Sequence, residues 1–104
     1  MSRQFDVFPN PLKAGRESRP YLINIQHPFF EERATRIVAP LVVAAAILPQ
    51  GRLNPIVTMQ HQKLHFSPTE MFTISLRHLR SPVVNLSADR DKLLAAIDLV
   101  FTGI

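Results

Sequence analysis

The sequence contains no cysteine, so it forms no disulfide and holds no thiolate zinc site. It also lacks an apolar run long enough to span a bilayer, since the longest, residues 37–48, is interrupted by Pro40. Residues 1–10 contain no apolar segment of the kind that signal peptides carry. These absences exclude a disulfide framework and a helical membrane anchor. We therefore expect a cytoplasmic protein with no membrane partner.

Basic side chains outnumber acidic ones, 12 against 8, and the net charge is +4. This excess suggests an acidic partner, either nucleic acid or an acidic protein segment. The densest basic group is Arg77, His78 and Arg80, and no aromatic residues lie between them to stack on bases. A solvated basic face is therefore favoured over a nucleic-acid site. The length of 104 residues and the hydrophobic content of 46% predict a single globular domain, residues 1–104.

Short segments of alternating or apolar character predict several strands. Phe5 and Val7 alternate with polar neighbours, and residues 21–26 alternate in the same way. Residues 35–41 predict a third strand. Pro40 places that strand at a sheet edge or at a bulge, because proline donates no hydrogen bond to a ladder.

Residues 42–48 fit either a short helix or an apolar strand, and the pattern does not decide between them. Further strands are predicted at residues 55–60, 63–67 and 71–76. The first two of these form a hairpin around His61 and Gln62, without the usual Asn-Gly turn signal. The segments together predict a mainly β protein.

The last part of the chain predicts one amphipathic helix. Ser87 is a suitable N-cap because its hydroxyl accepts a hydrogen bond from an otherwise orphaned amide. Asp89 and Asp91 lie in the first turn, where they favour the helix dipole. The apolar residues at helical spacing form one stripe: Leu93, Leu94, Ile97, Val100 and Phe101. Gly103 lies where a left-handed C-cap residue is expected.

Short segments along the chain resemble the CcdB family, and they occur in the family's order. The matching segments are residues 4–5, 16–19, 25–26, 35–41, 53–57, 69–71, 75, 86–98 and 101–104. The segment Thr-Arg-Ile-Val-Ala-Pro-Leu at residues 35–41 resembles the family's Arg-x-Val-Ile-Pro-Leu strand. Phe-Thr-Gly-Ile at residues 101–104 resembles the terminal helix and its Gly-Ile end. The ordered set covers nearly the whole chain, with a longer loop at residues 10–15.

The resemblance implies a small SH3-like β-barrel with a C-terminal helix, a fold shared with MazF-like and Kid-like toxins, and a symmetric homodimer. It implies the toxin of a type II toxin–antitoxin module, of the kind used in plasmid maintenance. In the family, the C-terminal helix ends bind the A subunit of DNA gyrase and hold the enzyme on cleaved DNA. Such a toxin acts by binding, so no catalytic residue, metal or cofactor is expected. Contact with DNA would be indirect, through gyrase or through a repressor complex with the antitoxin.

The resemblance assigns gyrase binding to the helix end. The assigned residues are Phe101, Thr102, Gly103 and Ile104, with Asp98 one turn earlier. Strong gyrase poisons of the family carry a tryptophan at the position of Thr102 and an acidic residue at the position of Arg90. Glycine has no Cβ and allows close backbone approach, so that Ile104 would reach a pocket in the target. A solvated helix residue is the alternative for Asp98.

Two further groups carry over from the resemblance. Phe29 and Phe30 match an apolar pair near the dimer axis and the gyrase-facing surface, with burial in the core as the alternative. A dimer seam is predicted at Ile37, Val38 and Leu41, with plain barrel core as the alternative. If this strand lies at a sheet edge, pairing across a two-fold axis is a natural use of it.

A CcdA-like antitoxin is the other implied partner. Its toxin-binding part is disordered until it binds, and segments of that kind wrap large surfaces. The positive charge of the chain suits an acidic antitoxin tail. Residues 16–19 form a polar loop that would meet the antitoxin or the dimer partner.

Two competing hypotheses remain. An RNA-cleaving toxin of the same fold needs a base, an acid and a cation at the phosphorus. The available residues are His27, His61, His65, His78, Glu17, Arg16 and Arg36. Only His61 and His65 are closely spaced, and they straddle a predicted turn, so structural or surface histidines are favoured. The third hypothesis is an interaction module without toxicity, because a fold does not fix a function.

Overall fold

The computed structural model describes residues 3–30 and 32–103, and these contain seven strands and one α-helix. The strands are β1 (Asp6–Pro9), β2 (Tyr21–Asn24), β3 (Thr35–Val42), β4 (Ile56–Met59), β5 (Gln62–Phe66), β6 (Phe72–Ser75) and β7 (Val84–Asn85). Helix α1 (Arg90–Thr102) follows a 3₁₀ turn at Ser87–Asp89. The prediction of a mainly β chain with a C-terminal helix is confirmed.

The strands form one antiparallel sheet in the order β4-β5-β3-β2-β1-β7, with β6 also paired to β3. The long strand β3 organises it. On one side β3 pairs with β2, for example Ile23 with Ala39. On the other side it pairs first with β6 and then with β5. The strands wrap into a nearly closed barrel, as the resemblance implies.

Pro40 lies on the central strand and not at an edge. On its side of β3, pairing with β6 ends at Val38 and pairing with β5 begins at Leu41. The carbonyl oxygen of Pro40 accepts a hydrogen bond from the Ser67 N–H at 3.1 Å, which shows that the backbone of Pro40 faces this side. The missing N–H therefore falls where β3 changes partner, so no ladder bond is lost. Of the two predicted positions, a sheet edge or a bulge, the edge is therefore wrong.

The predicted hairpin is present, as β4 and β5. Its loop consists of Gln60 and His61, one residue earlier than predicted, because Met59 pairs with Gln62. Both loop residues have positive φ, 50° and 66°. Two positive φ angles define the tight turn that matches the strand twist, which asparagine and glycine adopt most easily. The turn signal was weak because this chain makes the turn with less suited residues.

The core lies between the sheet and α1. Its main cluster joins strand residues to two helix residues and includes Val7, Ile23, Leu41, Leu64, Phe66, Leu93 and Ala96. A smaller cluster contains Leu22, Val38 and Ile74. Neighbouring strand residues face opposite ways, so Leu22 and Ile23 belong to different clusters. Strand β2 from residue 22 onward and strand β3 from residue 38 onward are therefore covered on both faces.

Helix α1 begins later than the capping pattern predicts. Its N-cap is Asp89, which makes no side-chain capping hydrogen bond, whereas Ser87 opens the preceding 3₁₀ turn. The Asn85 Oδ1 accepts a hydrogen bond from the Ser87 N–H at 2.9 Å. The local hydrogen bond thus comes from Asn85, two residues earlier than the predicted cap.

The segment that the pattern left undecided, residues 42–48, is neither a regular helix nor a strand. Val42 ends β3, and Ala44–Ala46 form one 3₁₀ turn. Leu48 is 90% exposed. Its side chain therefore adds nothing to the core, in spite of the apolar run that contains it.

Candidate functional site at the end of the C-terminal helix

Helix α1 is buried near its middle and exposed at its C-terminal end. Leu93 and Ala96 are fully buried, and Leu94 and Ile97 pack against the core from partly buried positions. Phe101 belongs to the same predicted stripe, yet it is 69% exposed. Aromatic side chains are enriched in the contact surfaces between proteins. The helix therefore displays a ring that the core does not use.

The backbone around Phe101 is held in one conformation. The Thr102 Oγ1 donates a hydrogen bond to the Asp98 carbonyl oxygen at 2.7 Å. Gly103 follows with φ 72°, and its N–H donates to the Leu99 carbonyl oxygen at 3.1 Å. This confirms the predicted left-handed C-cap, a conformation that strains residues with a Cβ. Two hydrogen bonds within the chain thus close the end of the helix.

The helix end has negative electrostatic character although the chain as a whole is positive. The last turn contains no basic side chain, and Asp98 is exposed. The C-terminal end of a helix carries a partial negative charge of its own. The surface therefore combines an apolar ring with local negative charge, which suits a partner that is apolar and basic at the point of contact.

The other residues assigned to this surface are placed as follows. Ile104 lies outside the described residues, and so does the side chain of Phe30. Phe29 is 80% exposed on the 3₁₀ turn Pro28–Phe30. Its N–H donates to the His27 Nδ1 at 3.0 Å, which fixes the turn. In the part of the chain that is described, this turn makes no extensive contact with α1.

Only part of the predicted dimer seam is exposed on the surface of the single chain. Val38 and Leu41 are fully buried within the single chain, in the smaller and the main cluster respectively. Strand β3 pairs with neighbouring strands along both of its edges, so edge-to-edge pairing with a second copy is not available to it. Only Ile37, at 39% exposure, offers surface to a second copy. Val38 and Leu41 offer no side-chain surface to a second copy, in agreement with the alternative of barrel core.

The loop at residues 10–19 is tied to the barrel by an ion pair. The Arg19 Nε lies 2.7 Å from Glu70 Oε1, and Arg19 Nη2 lies 3.1 Å from Glu70 Oε2. The Ser67 hydroxyl donates to the same carboxylate at 2.7 Å. The hydrogen bond from Arg19 lowers the pKa of Glu70, burial opposes this, and the Ser67 hydrogen bond and the charge of Arg19 add to the lowering. Arg19 therefore has a structural partner within the chain.

We predict that Glu70→Gln lowers the free energy of unfolding at neutral pH by about 0.5–1 kcal/mol, a small value because both partners are partly solvated. The native pKa of Glu70 lies below its ordinary value of 4.5. The stabilisation is therefore complete above the unfolded pKa and is lost as the pH falls through the lower native pKa. Urea unfolding across this pH range checks the prediction. Glu17→Gln, an exposed glutamate without an ion pair among the described residues, is the control. If the difference in the free energy of unfolding between the parent chain and Glu70→Gln did not change with pH, an effect of the Glu70 charge would be contradicted.

The histidines proposed for RNA cleavage are dispersed. The His65 Nδ1 lies 3.1 Å from the Asn54 carbonyl oxygen, and His61 lies in the hairpin turn. Arg36 is buried, and its Nη1 donates to backbone carbonyls, including that of Thr35 at 2.9 Å. No group of three metal-ligating side chains is present in residues 3–30 and 32–103.

One cleft does bring together two of the residues considered for catalysis. His78 and Arg16 line a cavity of about 420 Å³ with Arg77 and Arg80. Among the described residues that line this cavity there is no carboxylate. The sequence indicated the cluster at residues 77–80. Nothing in it indicated that Arg16, far away in the chain, would join that cluster.

The fold and the helix end define a class: a small antiparallel barrel with a C-terminal helix that displays an ordered apolar end. The chain belongs to the CcdB family, because the family model described as CcdB protein matches residues 4–103. A search of curated proteins found no match. Family membership supports a toxin of a toxin–antitoxin system, and the family is one of gyrase-poisoning toxins and not of enzymes in the ordinary sense. Within the described residues no helix has both the length and the hydropathy that crossing a membrane requires.

Proposed function

We propose that this chain is a homodimeric toxin that binds the A subunit of DNA gyrase through the end of α1. Binding traps the complex of gyrase with cleaved DNA and so inhibits the topoisomerase. The observation that carries the proposal is the ring of Phe101, 69% exposed on a helix end held by the bonds of Thr102 and Gly103. No catalytic residue is assigned, because the action is binding.

The physical reason for this choice is the energy that an exposed ring releases when it is covered. Burying a phenylalanine side chain contributes about 1.5–3 kcal/mol. A rigid helix end loses little conformational freedom on binding, so more of that energy becomes affinity. Gly103 permits close approach of the two backbones. Asp98 and the helix dipole favour a basic surface on the target.

Thr102 changes which side chain acts as the anchor. Strong poisons of the family carry tryptophan at this position, and threonine offers much less surface. The Thr102 hydroxyl is bonded to the Asp98 carbonyl oxygen, so it serves the helix end itself. Phe101 is then the largest exposed apolar side chain in the last turn. The proposal therefore places most of the binding energy on Phe101 and expects Ile104 and Phe29 to add to it.

The remaining parts of the proposal follow from the family. A CcdA-like antitoxin neutralises the toxin, and contact with DNA is indirect, through gyrase or the repressor complex. The protein acts in the cytoplasm, where its target lies. The homodimer presents both helix ends on one side. Ile37 is the member of the predicted seam with exposed surface.

The test compares the full chain with a chain that ends at Phe101, using gyrase from the same host and supercoiled plasmid. We expect the full chain to accumulate cleaved DNA and the shortened chain to lose this effect, because Thr102 and Gly103 fix the helix end. Sedimentation of both chains shows whether folding and dimerisation are retained. If neither chain traps DNA while both are folded and dimeric, the proposal fails. Degradation of added RNA by the full chain would then favour the ribonuclease hypothesis.

A further inference from the structure

Three arginines gather around one cleft, which contains none of the residues assigned to gyrase. Arg16, Arg77 and Arg80 line this basic cleft, whose volume is about 420 Å³. None of the three forms an ion pair with another described residue. A guanidinium stays charged at every physiological pH, so the three positive charges repel one another. An anion bound among them would relieve that repulsion.

The loop that carries Arg16 holds its guanidinium in place. The Arg16 Nε donates to the Asn10 carbonyl oxygen at 2.9 Å, and its Nη2 donates to the Pro11 carbonyl oxygen at 3.1 Å. Asn10 is itself buried, and its Nδ2 donates to the Arg19 carbonyl oxygen at 2.8 Å. A guanidinium has more donors than these two bonds use, so Arg16 is oriented by the loop and can still bind an anion.

A phosphate group fits three arginines better than a single carboxylate does. A phosphomonoester carries about −1.5 to −2 charges at pH 7 and presents three strong acceptor oxygens, whereas a carboxylate carries one charge on two oxygens. The planar fork of a guanidinium binds phosphate oxygens in pairs. Two linked phosphates carry still more charge and can contact more than one arginine. The basic cleft therefore favours a ligand with a phosphate or diphosphate group.

A groove of about 370 Å³ adjoins the basic cleft and is suited to a flat ring. The two cavities share Pro11 and His78, and the groove is also lined by Leu12 and Phe72. Phenylalanine and histidine rings stack on nucleobases, and arginine planes do the same. Leu12 and Pro11 add apolar surface beside these rings. Cavities of this size are usual for small ligands, so the groove can hold a base while the cleft holds the phosphates.

We propose that the basic cleft and the adjoining groove together bind a small nucleotide with two or more phosphates, such as ADP. The phosphates lie among the three arginines, and the base lies in the groove against His78 and Phe72. Stacking discriminates weakly between bases, so adenine and guanine nucleotides are both accepted. A nucleic-acid strand fits less well, because it needs positive charge along its backbone and these arginines line a single cleft. The inference does not depend on gyrase binding, since it uses none of the helix-end residues.

The test is calorimetric titration of the full chain with ADP, in a buffer that contains neither phosphate nor Mg²⁺. The double variant Arg77→Gln with Arg80→Gln should bind ADP at least about tenfold more weakly, because two charge-assisted contacts are lost. The matched control is Arg52→Gln with Lys63→Gln, which lowers the net charge equally at exposed positions outside the cleft. We expect its affinity to stay within about twofold of the parent at moderate salt. Absence of ADP binding by the parent chain, or an equal loss in both double variants, would overturn the proposal.

A second arm tests the groove separately from the cleft. Leu12→Ser removes apolar surface from a side chain that is 49% exposed, so its cost to the fold is small. It should weaken binding of ADP about three- to tenfold and leave binding of inorganic pyrophosphate, which has no base, unchanged. An equal effect on both ligands would refute a base in the groove.

Two further measurements fix the occupant and separate it from the gyrase proposal. A DNA oligonucleotide without a terminal phosphate should not displace ADP. If it displaced ADP and bound more tightly, a nucleic acid would be the occupant and the proposal would be overturned. Phe101→Ala should bind ADP as the parent does, so failure of the helix end to bind gyrase would leave this result unchanged.

Discussion

Phe101→Ala is expected to weaken trapping of cleaved DNA by gyrase by about 30- to 1,000-fold, which corresponds to a hot-spot loss of about 2–4 kcal/mol. The ring is 69% exposed in the free protein, so its removal costs the fold little. The same ring is the largest apolar surface of the last turn once Thr102 stands in place of tryptophan. Titration of the toxin against gyrase and supercoiled plasmid gives the concentration for half-maximal cleavage.

The matched control is Leu48→Ala. Leu48 is another apolar side chain with high exposure, 90%, and it belongs to no surface assigned to a partner. Its loss should change neither the cleavage titration nor the unfolding transition. Equal potency of Phe101→Ala and the parent would place the anchor elsewhere, and Phe29 and Ile104 would then be examined next. Equal losses in both variants would point to a general effect of exposed apolar surface.

The pattern of apolar and polar residues within short segments predicted most of the strands and the helix of this fold. The strands at Tyr21–Asn24 and Thr35–Val42, and the hairpin of Ile56–Met59 with Gln62–Phe66, lie within one or two residues of the predicted segments. The helix end at Gly103 was predicted because glycine is the residue that most easily adopts a left-handed C-cap. The structure gives Gly103 a φ of 72°, which is in that region. These features depend on residues close together in the sequence.

Features that depend on distant residues were harder to predict. Pro40 predicts a sheet edge or a bulge, because the sequence of its own strand does not reveal that β5 and β6 share one side of β3. For Val38 and Leu41 the sequence left a dimer seam and barrel core open, because β3 is buried on both faces from residue 38 onward and alternation there does not separate inside from outside. That Arg16 and Arg77 line the same cavity could not be predicted for the same reason, since they lie far apart in the sequence. A loop and a turn come together there through the sheet order alone.

The binding role of the helix end was implied by the family resemblance, and the exposure of its individual side chains could not be predicted from the apolar stripe. A stripe at helical spacing does not tell which member lies past the edge of the core, and Phe101 was counted with Leu93. The structure separates them, because Leu93 is fully buried and Phe101 is exposed. This difference predicts that Leu93 contributes to stability, and under the proposed function Phe101 would contact the target, so the two roles can be tested separately.

Leu93→Ala is expected to lower the free energy of unfolding by about 2–5 kcal/mol, because a fully buried leucine leaves a cavity when it is truncated. Domains of this size are stable by about 5–15 kcal/mol, so the loss is a large share of the total. Urea unfolding at fixed protein concentration measures it. Leu94→Ala is the neighbouring control, and since Leu94 is only partly buried its loss should be clearly smaller.

The two substitutions on α1 are expected to act in opposite ways. Phe101→Ala should lose trapping and keep its unfolding transition, whereas Leu93→Ala should lose stability and keep trapping at temperatures where it is still folded. This pattern requires that the core of the barrel holds the helix and that the ring at its end meets the target. If Leu93→Ala, while folded, lost trapping as completely as Phe101→Ala, contact energy and helix placement would be inseparable. The helix end would then not be the independent binding surface that the exposure of Phe101 indicates.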